Sequence, residues 1–324
     1  MSFAIRIHEI GGPEVLAWEE VTVGEPGPGE VRLRHGAVGL NFIDVYFRTG
    51  AYGADVPFTP GLEASGVVEA LGEGVSDLRV GDRVAYAAPP AGAYSEERLM
   101  PADRVVKVPD GVSDELAAAM MLKGMTAQYL LRRTYRVNAG DTILFHAAAG
   151  GVGLIACQWA KSLGATVIGT VGSDEKAELA AAHGCDHPIV YTRENFVERV
   201  KSITGGEGVP VVYDSVGKDT FMDSLDCLRP LGSMVIFGQS SGPVPPLEVG
   251  LLAAKGSLFL TRPTLMTYTA ERGDLVATAD ELFQVVEAGA VRLEINQRFP
   301  LKHAADAHRA LEARQTTGST ILTV

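Results

Sequence analysis

The chain has 324 residues, enough for two domains of ordinary size with a core in each, which excludes a disordered chain or a stapled mini-protein. Lys and Arg number 28 against 40 Asp and Glu, a formal net charge of −12, so nucleic-acid backbones and anionic lipid surfaces are disfavoured as partners. The 37 glycines exceed the usual share of about 7% and imply many tight turns.

The start, Met1-Ser-Phe-Ala-Ile-Arg-Ile-His, has no cationic segment leading into a sustained apolar run, so a signal or transit peptide is not expected. No apolar stretch approaches the roughly 18 residues that span a bilayer. Cys157, Cys185 and Cys227 are too few and too far apart for a disulfide framework or a metal knuckle. The expected compartment is the reducing cytoplasm.

From Phe3 to about Val108, short β-branched runs such as Glu30-Val-Arg-Leu-Arg, Ala64-Ser-Gly-Val-Val-Glu-Ala-Leu and Arg83-Val-Ala-Tyr-Ala alternate with Gly-Pro-Gly, Gly-Glu-Gly-Val and Val-Gly-Asp turns. This predicts a β-rich domain. At Ser113 a helix begins, with Ser113 as its cap and Asp114 and Glu115 in its first turn.

From Asp141 strands and helices alternate. The predicted strands are Thr142–His146, Thr166–Val171, Ile189–Tyr191, Val209–Ser215 and Met234–Phe237, and the helices are Gly151–Leu163, Glu175–His183, Asn195–Thr204 and Thr220–Leu225. Such alternation predicts an α/β fold with a parallel sheet between helices. Beyond Pro246 a strand at Ser257–Thr261, helices near Leu275–Ala288 and Ala304–Gln315, and a last strand from Thr320 are expected.

The most informative segment is Leu144-Phe-His-Ala-Ala-Ala-Gly-Gly-Val-Gly-Leu-Ile-Ala, which follows an apolar strand and opens a helix. Glycine there lets backbone N–H groups approach a pyrophosphate, and a helix N-terminus favours its negative charge. The positions of a G-x-G-x-x-G dinucleotide fingerprint fall on Ala148, Gly150 and Gly153, so alanine replaces the first glycine. An NAD site would carry Asp or Glu about 20 residues on, at the end of the second strand. Here the strand ends in Gly172 and Ser173, and Lys176 can supply positive charge, which favours a 2′-phosphate and hence NADP. Asp174 and Glu175 remain alternatives as ribose ligands, although first-turn carboxylates also suit a helix dipole.

These segments, with Gly11-Gly-Pro-Glu-Val-Leu, Gly39-Leu-Asn-Phe-Ile-Asp, Gly81-Asp-Arg-Val, Leu122-Lys-Gly-Met-Thr, Gln158-Trp-Ala-Lys, Val212-Tyr-Asp-Ser-Val-Gly and Phe237-Gly-Gln-Ser-Ser-Gly, resemble the zeta-crystallin-type NADPH:quinone oxidoreductases, bacterial members especially. That family is the zinc-free branch of the medium-chain dehydrogenase/reductase superfamily. The resemblance covers nearly the whole chain. It implies a GroES-like β-rich catalytic domain from residues 1–122 and 263–324, a doubly wound Rossmann NADP-binding domain from 123–262, and a cofactor in the cleft between them. It also implies a homodimer.

Zinc-dependent relatives hold their metal with a cysteine and the histidine of a Gly-His-Glu motif. Here Asn41 stands in the cysteine's place, Leu62 of Gly61-Leu-Glu63 in the histidine's, and the segment expected to carry four structural cysteines has none. No metal is expected. The resemblance assigns cofactor contacts to Asn41, Phe42 and Tyr46 near the nicotinamide, to Thr126 and Tyr129 on the connecting helix, and to Gly151 and Val152 at the pyrophosphate. Gly172, Ser173, Lys176, Tyr191 and Arg314 match the 2′-phosphate contacts, and Phe237, Gly238, Ser240, Pro263 and Thr264 those that close over the nicotinamide. Thr126, Val152 and Pro263 also suit packing or turns, Tyr129 a core, and Arg314 a solvated surface. His146 reads as a residue satisfying backbone groups, and Cys185-Asp-His187 as a structural loop.

A hydride carrier without a metal suits an acceptor that is already electrophilic, a quinone or another activated carbonyl. The expected catalytic residues are Asn41, which orients the cofactor, and Tyr46 and Tyr52, which line the acceptor pocket, with water able to supply the proton. The alternatives are an enone or alkenal reductase and, from another class, a non-catalytic NADPH-binding structural or RNA-binding protein.

Overall fold

A computed structural model describes residues 1–324. The chain divides into two units: Met1–Met125 with Thr269–Glu287 and Leu293–Val324, and Thr126–Tyr268 with Ala288–Arg292.

The first unit is built on a seven-stranded sheet. Its path runs Ile295–Pro300, Ser319–Thr323, Glu30–Gly39, Glu63–Leu71, Arg83–Ala87 and Val106–Lys107, and Glu97–Pro101 pairs with Glu30–Gly39 off that path. The long Glu30–Gly39 strand alternates buried Val31, Leu33, His35 and Ala37 with more exposed neighbours, as a strand with one face on a core must. Ile5, Leu33, Val68, Tyr86, Tyr94, Met100 and Leu322 join in the core. The final strand sits inside the sheet, parallel to Ile295–Pro300 and antiparallel to Glu30–Gly39. Ser113 caps the following helix as expected, its Oγ accepting from the Leu116 N–H at 3.2 Å. That helix, Asp114–Tyr129, buries Ala117 to Met121 completely, so it is apolar on all sides rather than amphipathic.

One element in this unit departs from the sequence reading. Phe42–Arg48, within the stretch read as β-rich, is a helix. Its β-branched and aromatic residues favour a strand locally, but Asn41 at the N-cap and Asp44 at N3 start a helix, the Asp44 carboxylate accepting from the Asn41 N–H at 3.0 Å. Ile295–Pro300, not anticipated either, is a strand whose residues alternate between half-buried and exposed.

The second unit holds six parallel strands in the order His187–Val190, Thr166–Val171, Thr142–Phe145, Val209–Asp214, Leu228–Ile236 and Phe259–Thr261. Numbered along the chain this is 3-2-1-4-5-6, the doubly wound order of a Rossmann sheet, with its reversal between the first and fourth strands. The glycine-rich turn leaves the first strand at that reversal. Leu144, Ile168, Val212, Met234, Phe221 and Leu225 pack between sheet and helices. At the sheet edge, Phe259 and Leu260 are 62% and 38% exposed.

Candidate active site

In the second unit the glycine-rich turn is shaped by close approach. A Cβ on Gly153 would lie 2.4 Å from the Ala147 carbonyl oxygen and 2.6 Å from that of Ala148, so only glycine lets this helix pack on its own turn. Ala148, in place of the first glycine, is tolerated because its methyl group faces Gly169, where a Cβ would stand 2.6 Å away. Ala147 adopts a left-handed conformation, φ 55°, a strained position for a residue with a Cβ. Gly150 caps the twelve-residue helix Gly151–Ser162, whose first turn carries no carboxylate. Free N–H groups and an uncompensated dipole fit a pyrophosphate.

At the end of the second strand the structure gathers Gly172, Ser173, Lys176 and Tyr191. A Cβ on Gly172 would lie 3.0 Å from the Tyr191 hydroxyl, and Ser173 caps Asp174–Ala182 by accepting from the Lys176 N–H at 3.4 Å. The two carboxylates left open as ribose ligands are engaged otherwise. Arg193 grips Asp174 through two hydrogen bonds of 2.6 and 2.5 Å, and the Ser173 hydroxyl holds the Glu175 carboxyl below its usual range. Arg314 lies in the other unit, just past the Ala304–Glu312 helix, in a left-handed conformation with φ 59°.

Near the fifth strand Phe237 packs against Phe145 with ring centroids 5.6 Å apart, and Arg262 donates to the Gly238 carbonyl at 2.9 Å. The Ser240 N–H donates to the Ser215 carbonyl at 3.0 Å, and Thr264 reaches Thr267, closing the turn after Pro263. Thr126 is 7% and Tyr129 only 2% exposed, with Tyr129 stacked on Tyr268 at 4.6 Å and 14°. His146 bonds the hydroxyls of Thr170 and Ser224 at 2.8 Å each, so side chains satisfy it where backbone groups were expected. Asp186, beside Cys185 and His187, pairs with Lys161 and the Val167 N–H, and the three cysteines are buried and free.

The first unit brings Asn41, Phe42, Tyr46 and Tyr52 together. Ring centroids lie 5.4 Å apart for Phe42 and Tyr46 and 5.0 Å for Tyr46 and Tyr52, and the Tyr52 N–H donates to the Tyr46 carbonyl at 3.0 Å. Asn41 is 5% exposed, and its Nδ2 donates to Glu63 Oε2 at 2.7 Å. Glu63, fully buried, also accepts from Lys123 Nζ at 3.3 Å and, through Oε1, from the Leu122 N–H at 2.7 Å. Sequence reasoning quoted both residues within motifs and assigned them no role; their pairing spans sixty positions, and only the fold reveals it.

A second buried chain starts at Asp44. Tyr94 donates to Asp44 at 3.1 Å and contacts His308 Nε2 at 3.0 Å, while Arg48 reaches His308 Nδ1 at 3.0 Å and Glu312 at 2.8 Å. Burial is the main force on these groups. It pushes the Asp44 carboxyl up to about 7 and the His308 imidazole down to about 3, and it raises the Tyr94 phenol.

Asn41 and the buried Leu62 offer no zinc donor, and nowhere in the chain do three His, Cys, Asp or Glu residues converge as metal ligands. No helix is long and apolar enough to cross a membrane.

A chain that carries both a 3-2-1-4-5-6 sheet with a glycine turn at its reversal and a β-rich unit drawn from its two ends has the make-up of a medium-chain dehydrogenase/reductase. Residues 27–110 match the alcohol dehydrogenase GroES-like domain and residues 151–281 the zinc-binding dehydrogenase domain. The chain is 55% identical to a quinone oxidoreductase of Pseudomonas aeruginosa over 99% of each protein, and 50% identical to a 2-haloacrylate reductase of Burkholderia over 99% of each. The Escherichia coli quinone oxidoreductase, solved in complex with NADPH, superposes with a TM-score of 0.98 at 48% identity, covering 99% of this chain and all of that one. The chain belongs to the quinone oxidoreductase family of the medium-chain dehydrogenases/reductases, and it is an oxidoreductase.

Proposed function

We propose that the protein reduces quinones with NADPH and without a metal ion. The observation that carries this reading is the pairing of a dinucleotide turn, free of carboxylates and cleared by Gly153, with a catalytic unit in which Asn41 and Leu62 stand where zinc donors would be. The names of the full-length relatives support it.

NADPH, when bound, supplies the hydride. The helix N-terminus at Gly151 and Val152 binds the pyrophosphate, and Gly172, Ser173, Lys176 and Tyr191, with Arg314, read the 2′-phosphate. Thr126, Tyr129, Phe237, Gly238, Ser240, Pro263 and Thr264 shape the nicotinamide side. Asn41 and Phe42 orient the ring, and Tyr46 and Tyr52 donate hydrogen bonds to the acceptor oxygen as negative charge develops there. A quinone needs no Lewis acid because the product is a resonance-stabilised phenolate, whereas an alkoxide does.

The test is NADPH oxidation with 1,4-benzoquinone in the presence of a chelator, alongside NADP with ethanol. Quinone reduction should persist, ethanol should give no reaction, and elemental analysis should find no stoichiometric zinc. Bound zinc whose removal abolishes quinone reduction would overturn the assignment. A second reading, reduction of an activated carbon–carbon double bond, is favoured by the similarity to the 2-haloacrylate reductase. An acyclic enone in the same assay separates the two. Turnover with neither acceptor would leave a binding role.

The protein is further proposed to be a cytoplasmic homodimer that pairs through Phe259–Thr261. An exposed apolar edge strand is a template for another strand. Light scattering at micromolar concentration should give twice the chain mass, and Leu260→Arg should give a folded monomer. A monomeric wild type, or an unchanged dimer in the variant, would refute the pairing.

A further inference from the structure

Glu63 and Lys123 form an ion pair with side chains 0% and 7% exposed, inside the unit that carries Asn41. Burying such a pair carries a desolvation penalty of several kcal/mol per ion, and apolar residues of similar volume often serve stability equally well. Stability alone therefore gives a poor account of it. The backbone around it is cleared for the carboxylate: a Cβ on Gly39 would lie 2.1 Å from Glu63 Oε2 and 2.5 Å from the Ala118 carbonyl oxygen.

The hydrogen bonds have a direction. A carboxylate paired with Lys123 accepts and cannot donate, so Asn41 must turn Nδ2 toward Glu63, which puts Oδ1 at the opposite end of its planar amide, where it faces the Asp44 backbone N–H in the capping box and keeps a second lone pair. Glu63 cannot swing away to permit the reverse, because Oε1 is tied to the Leu122 N–H and Oε2 to Lys123. We infer that Glu63 and Lys123 are positioning residues that lock the Asn41 carboxamide in one orientation and so present its oxygen, an acceptor, to the nicotinamide end of the cofactor. The inference rests on the assignment of Asn41 made above. Lys123 supplies the opposite charge that lets a carboxylate stay at this depth, and the carboxylate selects the amide rotamer. Removing Lys123 alone would strand a buried charge, so the informative change removes both charges together.

The experiment compares wild type, Asn41→Ala, Glu63→Gln with Lys123→Met, and the triple variant, each checked for a wild-type-like melting transition, with NADPH and 1,4-benzoquinone. A glutamine at 63 keeps its oxygen on the Leu122 N–H and turns its amide nitrogen, a donor, toward Asn41, which favours the flipped carboxamide. We expect the Glu63→Gln, Lys123→Met protein to lose about tenfold in kcat while its Kd for NADPH, read by cofactor fluorescence, moves less than about threefold. Asn41→Ala should lose a similar factor, and the triple variant should be no worse than Asn41→Ala within about twofold, because the pair acts only through Asn41. Should the paired change prevent folding, Glu63→Gln with Lys123→Gln, which also removes both charges, supplies the same comparison. Wild-type kcat in the charge-free variant, or losses that multiply in the triple variant, would overturn the positioning role and leave the Asn41 assignment standing. An Asn41→Ala protein with wild-type kcat would overturn both.

Discussion

Exchanging Lys176 for alanine is expected to weaken NADPH binding by about 1.5–3 kcal/mol, roughly ten- to 150-fold, and to leave NADH almost unaffected. The basis is the surroundings of Lys176 in the Asp174–Ala182 helix. The Ser173 cap fixes the first turn, and Gly172 and Tyr191 border it. Arg193 takes both oxygens of Asp174, so the nearest carboxylate is engaged by a guanidinium instead of facing a ribose hydroxyl. A site with Lys176 near and Asp174 occupied favours a phosphate over a hydroxyl. Binding of each cofactor, measured by fluorescence titration of the two proteins, decides the matter. Equal losses for NADPH and NADH would show that Lys176 does not read the 2′-phosphate.

Asp44→Asn is expected to change how stability depends on pH. Burial raises the Asp44 carboxyl from its ordinary 3.8 to about 7, so the folded state holds that proton more tightly than the unfolded chain. The resulting stability is complete below about pH 4 and is lost as pH rises through 7, at roughly 1.4 kcal/mol per pH unit and on the order of 4 kcal/mol in all as an upper bound. Asparagine keeps an oxygen that can accept from the Asn41 N–H and the Tyr94 hydroxyl and carries no titrating proton. Relative to wild type, the variant should therefore gain stability from about pH 4 to pH 7 and level off above that. His35 and His308, lowered to about 4 and about 3 by burial, contribute with the opposite sign and cancel in the comparison because both proteins carry them. Denaturant unfolding of the pair at pH 5 and pH 8 reads the difference, and an identical gap at the two values would refute it.

The parts of the molecule legible in the sequence are those whose signals are local. The glycine turn, its flanking strand and helix, and the β–α alternation behind it depend on residues within a few positions of each other, and the sheet at Thr142–Phe145 and Thr166–Val171 follows them closely. The Phe42–Arg48 helix was obscured because its interior residues prefer a strand, and the capping pair Asn41 and Asp44 decides against them. Leu62 and Asn41 were informative through what they cannot ligate. Their neighbour Glu63 was silent, since a glutamate's meaning at full burial is set by partners at 41, 122 and 123 that only the fold assembles. The same holds for Arg48 and His308, joined across most of the chain's length.

The place of the last strand bears on how the molecule is made. Ser319–Thr323 lies between Ile295–Pro300 and Glu30–Gly39, with Ile321 opposite Gly39. During synthesis the early strands leave the ribosome long before this segment, so Ala37 to Gly39 lack their partner until late, while Glu97–Pro101 covers Glu30 to Arg34 of the same strand much sooner. The intervening nucleotide-binding sheet closes within one continuous stretch and can mature first. A premature stop that removes only the final strand would leave the nucleotide-binding sheet whole, with Ile295–Pro300 stripped of its strand partner and Ala37 to Gly39 an open edge.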